Sequence, residues 1–134
     1  MSATVITKPK VEIDADLLKA IKEQTQTEGQ VILHFIYTNL TFFPGLIRIW
    51  PTSYLYDVDS EHESKLVHVE KITMYPTWQE VRPLTNTYFT LVFSKLPKSC
   101  DFFDFIEVCG GQGGGFEVKG IERNETDVYY LRLV

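Results

Sequence analysis

The sequence is short of most features that mark a functional class. It has two cysteines and three histidines in 134 residues, too few for a disulfide framework and thin material for a metal centre. Lys and Arg number 13 against 18 Asp and Glu, for a net charge of -5. The cations are scattered, and phosphate neutralisation needs them clustered, so a nucleic-acid partner is excluded. The same scatter argues against docking to an anionic membrane surface. No stretch approaches the ~20 apolar residues needed to span a bilayer, which predicts a water-soluble chain without membrane insertion. MSATVITKPKVEIDAD at the start holds no apolar core behind a basic head, so it does not read as a secretory signal. A cytoplasmic location is expected, or an exported one if a signal has been removed. None of Ser53, Ser60, Ser64, Ser94 and Ser99 sits in a Gly-x-Ser-x-Gly elbow.

What is present is ordinary globular composition, 44% hydrophobic and 23% charged, in a length typical of one domain. Residues 1–13 read as a flexible or extended lead-in. From Asp14 to Gly29 a Leu17, Leu18, Ile21 stripe with a capping Asp14 predicts one short amphipathic helix. Beyond Gln30 the chain becomes a series of β-branched and aromatic runs punctuated by Pro, Gly, Asn and Asp. These runs are QVILHFIYTNL, GLIRIWPTSYLYD, SKLVHVEKITMY, TNTYFTLVFSKL, DFFDFIEV, GFEVKGIE and DVYYLRLV. About seven strands without alternating helices predict, for residues 14–134, a single antiparallel immunoglobulin-like two-sheet sandwich, with a small β-barrel as the other solution. Val31, Leu33 and Phe35 face one way and Ile32 and Ile36 the other, which places that strand in the middle, covered on both sides. Phe89, Leu91 and Phe93 alternate with Tyr88, Thr90 and Ser94, as for a strand with one wetter face, which is not fully polar because Val92 lies on it. Pro51 cannot donate to a ladder and belongs beside an edge.

The stretch FTLVFSKLPKSCDFFDFIEV combines an aromatic-alternating strand, Leu96-Pro97-Lys98, Phe103-Asp104 and Ile106-Glu107. It resembles a strand, turn, strand signature in small β-sandwich domains of uncharacterised proteins from Bacteroidetes-type bacteria. GGFEVKGIERNETDVYYLRL is similar to the end of those domains, and GLIRIWPTSYLYD and SKLVHVEKI fit their earlier strands. The resemblance covers residues 30–134 and implies the fold. It carries no catalytic or ligand residues.

Several local patterns invite chemistry and fall short of it. GGQGGG at 110–115 lacks the following Lys and Ser or Thr and the helix of a phosphate loop, so it reads as a hairpin connection. Asp57, Asp59 and Glu61 alternate like the start of a calcium loop, but His62 and His68 stand where Gly and the bidentate Glu belong. A solvated acidic hairpin tip is expected there. His34, His62 and His68 have no ligand spacing, and His34, mid-strand, reads as a hydrogen-bonded structural histidine. Asp104 and Glu107 differ by an odd number and so face opposite ways on a strand, while Asp101 and Glu107 would stand roughly 20 Å apart. Turn and edge roles are expected for these acids rather than a glycosidase pair. Cys100 and Cys109, if joined by an extended strand, lie roughly 25 to 30 Å apart and read as reduced structural thiols. No catalytic residue, cofactor or metal follows from these patterns. Asn39-Leu40-Thr41 and Asn124-Glu125-Thr126 match the glycosylation pattern and read as chance matches or turn residues.

The aromatic content is not fully explained by a core; core and edge covering is one reading of it and an exposed aromatic platform the other. Trp50, Tyr54, Tyr56, Tyr75, Trp78 and Tyr88 gather near Pro51, Pro76 and Pro83, at strand ends where amphipathic rings serve binding surfaces. Trp50, Tyr54, Trp78 and Tyr88 are the candidate contact residues. A non-catalytic module that binds a protein partner or joins an assembly, a homo-oligomer included, is the function expected. The alternative is a carbohydrate-binding module stacking a glycan on the same rings.

Overall fold

The computed structural model describes residues 3–5, 29–110 and 115–134. Its strands are β1 (Ala3–Val5), β2 (Val31–Thr38), β3 (Gly45–Ile47), β4 (Ser53–Asp57) and β5 (Glu63–Glu70), followed by β6 (Gln79–Val81), β7 (Asn86–Phe93), β8 (Phe102–Glu107), β9 (Glu117–Glu122) and β10 (Val128–Leu133). No helix occurs among the described residues; the short helix expected after Asp14 falls on residues outside them. Residues 3–5, assigned from sequence to the lead-in, form β1 and pair antiparallel with β10.

The chain is mainly β, but its strands do not divide into two separate sheets. Eight of them form one continuous sheet in the order β1-β10-β2-β7-β5-β4-β8-β9, and β3 with β6 make a separate ribbon. Nor is the sheet wholly antiparallel, because β10 runs parallel to β2, with Val128 opposite Ile32 and Leu133 opposite Tyr37. The physical reason for the single sheet is β5. Its first half pairs with β4, Lys65 opposite Tyr54, and its second half pairs with β7, Leu66 opposite Phe93 and Val69 opposite Leu91. A register irregularity between Leu66 and His68 marks the bend, as expected of a bulge, which kinks a strand and sharpens its twist.

The sheet thus turns a corner, and its two arms face each other across one core. Rings meet across that space: Phe35 and Phe93 lie 5.2 and 5.9 Å from Phe105, and Phe103 lies 5.0 Å from Tyr129. At the far side β1 comes against β9, so the sheet closes to a half-barrel. Inward positions alternate as the side-chain period of two requires. They are Val31, Leu33 and Phe35 on β2, Phe89, Leu91 and Phe93 on β7, Tyr129, Leu131 and Leu133 on β10, and Phe103 and Phe105 on β8.

The middle position expected for β2 is observed, between β10 and β7. The wetter face expected for β7 is not: Thr90 and Val92 are buried there, Val92 with Ile32 and the half-buried Val128. Pro51 splits its run in two, leaving β3 to the ribbon and β4 to the main sheet, and Ile49 between them makes an isolated parallel bridge to Met74.

A braced aromatic cluster and an apolar tip on the ribbon

The ribbon pairs Gly45 with Val81, Leu46 with Glu80 and Ile47 with Gln79. Gly45 is required by this close approach, since a Cβ there would lie 3.1 Å from Val81 Cγ2. Ile47 and Ile49 point inward and are buried, which leaves Leu46, Arg48 and Trp50 on the outer side. There the Arg48 guanidinium lies 3.6 Å from the ring centre of Trp78, 4.6 Å from Tyr75 and 5.3 Å from Trp50. Trp50 stacks on Tyr75 at 4.2 Å, and Arg48 Nη1 donates to the Pro76 carbonyl at 3.1 Å. Each cation–ring contact contributes on the order of 0.5–2 kcal/mol, so one arginine holds three rings in place. Trp78 remains 51% exposed and Tyr75 42%.

Of the candidate contact residues, the structure brings Trp50 and Trp78 together through Arg48. Tyr54 and Tyr88 are elsewhere: Tyr54 lies on β4 beside Tyr56, ring centres 5.8 Å apart, and Tyr88 stands opposite Ile36 across the β2–β7 ladder. Sequence reasoning missed Arg48 as the centre of the cluster. Its signal was the Arg-x-Trp spacing, which puts both side chains on one side of an extended segment.

Behind the cluster lies Glu107, the last residue of β8. It continues the inward period of Phe103 and Phe105 and is only 7% exposed, which corrects its expected turn or edge role. Glu107 Oε2 accepts from the Trp50 N–H at 3.2 Å, while Oε1 finds no partner among the described residues. Burial pushes its pKa from 4.5 up to about 7, against the opposing pull of the Trp50 and Phe116 amides and the Arg48 charge. Gly115 closes over it, because a Cβ there would sit 2.6 Å from Cys109 Sγ and 2.9 Å from Glu107 Cβ. The Cys109 thiol is pushed up by burial and by the Glu107 carboxylate, so it is a poor nucleophile.

At the other end of the ribbon, residues 39–44 form a tip. Buried Asn39 organises it: Nδ2 donates to the carbonyls of Phe43, Val81 and Arg82 at 2.9, 3.4 and 3.3 Å. Asn39 Oδ1 accepts from the Thr41 N–H and hydroxyl at 3.0 and 2.7 Å. The turn role expected of Asn39 is therefore observed. Phe42 and Phe43, on this scaffold, are 80% and 75% exposed.

The other polar patterns resolve locally. Asp57 closes the β4–β5 turn, accepting from Ser60 Oγ at 2.7 Å and the Asp59 N–H at 3.1 Å, and the Ser60 bond holds its carboxyl below the usual range. His34 Nδ1 lies 2.7 Å from Thr90 Oγ1, His62 Nε2 3.0 Å from Ser64 Oγ and His68 Nε2 2.5 Å from Glu70 Oε1, three separate places. Asp104 accepts from the Gly120 N–H at 2.8 Å. No group of three metal-ligating side chains occurs among the described residues, and no helix among them is long and apolar enough to cross a membrane. Cys100 and Cys109 are both free and buried. The 108–116 connection joins the antiparallel hairpin of β8 and β9, with residues 111–114 outside those described. In comparisons with known proteins, no family model, no curated protein and no solved structure matches the chain.

Proposed function

We propose that the domain is a non-catalytic interaction module that docks a protein partner through the outer side of the β3–β6 ribbon. The observation that carries this reading is the Arg48-braced cluster, in which Trp78 and Tyr75 are held rigid yet remain half-exposed. Rigid aromatic anchors with an arginine are the composition of interface hot spots, because little side-chain entropy is lost when they are covered. The two facing arms of the sheet, a variant of the immunoglobulin-like sandwich joined through β5, provide the scaffold.

The glycan reading has weaker support. Sugar rings stack on open aromatic faces, whereas Trp50 and Tyr75 cover one another and Arg48 covers a face of Trp78.

The test is affinity capture by the tagged protein from a lysate of its source, compared with a Tyr75→Ala/Trp78→Ala variant. A stoichiometric protein partner captured by the native chain and lost with the variant supports the reading. Equal capture by both would move the interface off the ribbon and sink it.

A further inference from the structure

We propose that the segment which docks on the β3–β6 ribbon is an extended acidic peptide of the partner protein. Two carboxylates four residues apart pair with Arg48 and Arg82, and an apolar side chain between them lies over Leu46. This rests on the partner reading above and names the chemistry of that partner.

The first observation is the distribution of charge. The whole chain has 13 cations and 18 acids, yet residues 39–50 and 71–85, which build the ribbon and its cluster, hold Arg48, Lys71 and Arg82 against the single acid Glu80. The rest of the chain has 10 cations and 17 acids. Physiological salt screens charge over about 8 Å, so a docked segment senses the ribbon and not the remote acidic excess.

The second is that neither arginine is neutralised from within. The ion pairs among the described residues are His68 with Glu70, Lys119 with Glu117 and Arg123 with Asp127. Glu107, behind the cluster, gives its carboxylate to the Trp50 N–H, and the Arg48 guanidinium donates from Nη1 to the Pro76 carbonyl. Arg82 is exposed, and it is its backbone carbonyl that Asn39 and Thr85 use. Guanidinium and indole N–H groups are donors only, so the polar atoms of this face call for acceptors.

The third is spacing. Val81 is buried, so Trp78, Glu80 and Arg82 lie on the outer side, with Glu80 opposite Leu46. The same register sets Arg48 beside Trp78, as the contact between them shows, and Arg82 beside Pro44. The two arginines are thus four residues apart along the ribbon, about 13 Å at ~3.3 Å per residue. Alternate side chains of an extended segment share one side. Carboxylates at its first and fifth positions therefore meet the arginines while the third residue covers Leu46, which is 58% exposed. Glu80 repels an acid at that middle position. A nucleic acid, with a charge about every 1.7 Å of duplex and no apolar side chain, does not match this pattern.

The isotope-labelled full chain is to be titrated with the peptide Gly-Glu-Val-Leu-Val-Glu-Gly and with versions carrying Gln or Lys in place of Glu, following the indole N–H signals of Trp50 and Trp78. We expect the acidic peptide to move the Trp78 signal. Binding should weaken roughly two- to fivefold for each carboxylate replaced by glutamine, further for lysine, and also at high salt. An Arg82→Glu chain should bind the acidic peptide less well and be rescued by one of the two peptides with a lysine at a single end, since a charge swap restores only a direct pair. No response to the acidic peptide, equal binding of the lysine peptide, or binding indifferent to Arg82→Glu would each overturn the proposal. So would tighter binding of a single-stranded DNA oligomer, which would assign the arginines to a polyanion. The partner reading fails separately, by equal capture with the Tyr75→Ala/Trp78→Ala variant. A partner captured through the ribbon but indifferent to Arg82→Glu and to salt leaves that reading standing and overturns this one.

Discussion

Replacing Glu107 by glutamine should stabilise this protein at alkaline pH and do little at acidic pH. Glu107 closes the interior end of β8, almost fully buried, with Oε1 unpartnered among the described residues. Its pKa in the fold is about 7, against 4.5 ordinarily. A pKa raised by folding means that the folded state holds the proton more tightly than the unfolded chain. The stabilisation is fully present below about pH 4.5 and is lost as pH rises through 7. At ~1.4 kcal/mol per pH unit the difference corresponds to about 3 kcal/mol above pH 8, a large share of a typical domain's stability. Glutamine keeps the shape, can still accept from the Trp50 N–H and does not titrate.

Urea unfolding followed by tryptophan fluorescence at pH 5, 6, 7 and 8 provides the assay. Subtracting the two proteins at each pH cancels the other titrating groups, Asp57 included. We expect the variant's advantage to grow from about 1 kcal/mol at pH 5 to about 3 kcal/mol at pH 8, most of the rise falling between pH 5 and 7, with an unchanged m value. A flat difference across that range would refute the reasoning, because it would mean that the buried carboxyl is solvated or paired in the fold.

Other perturbations test other parts of the structure. Burial pushes the Cys100 thiol up to about 11, so the folded protein at pH 8 should react with Ellman's reagent far more slowly than the urea-unfolded chain. Arg123→Lys should cost about 1–3 kcal/mol in urea unfolding. It loses the fork in which Nε and Nη2 donate to the two Asp127 oxygens at 2.5 and 2.9 Å while Nη1 donates to the carbonyls of Pro97 and Cys100. Asn39→Ala should cost a similar ~1–3 kcal/mol by leaving the tip carbonyls and the Thr41 N–H without their partner, and amide exchange should rise at Thr41 ahead of the core. Phe105→Ala, which removes the ring shared by Phe35 and Phe93, should cost about 3–5 kcal/mol and unfold the chain at a much lower urea concentration.

By itself the sequence determined the local things. Alternation and turn residues predicted β2, β5, β7, β8, β9 and β10 where they occur, the central place of β2, and the Asp57 and Asn39 turns, because these depend on neighbours a few positions away. Two elements escaped that reading for want of length: β1 and β6 have three residues each, too few for a period to be visible. Trp50 and Trp78 were legible as candidate contact residues from the prolines around them, but their convergence on Arg48 was not. It depends on β3 meeting β6 across a long stretch of intervening chain, and no local pattern encodes that register. The same holds for Glu107, whose place at an odd spacing from Asp104 was readable although its burial was not. Burial required the second arm of the sheet to fold over it, and that depended on a bulge in β5 which turns an expected pair of sheets into one bent sheet. Tertiary structure decided what covers each strand face, because covering is a property of the partner surface and not of the strand.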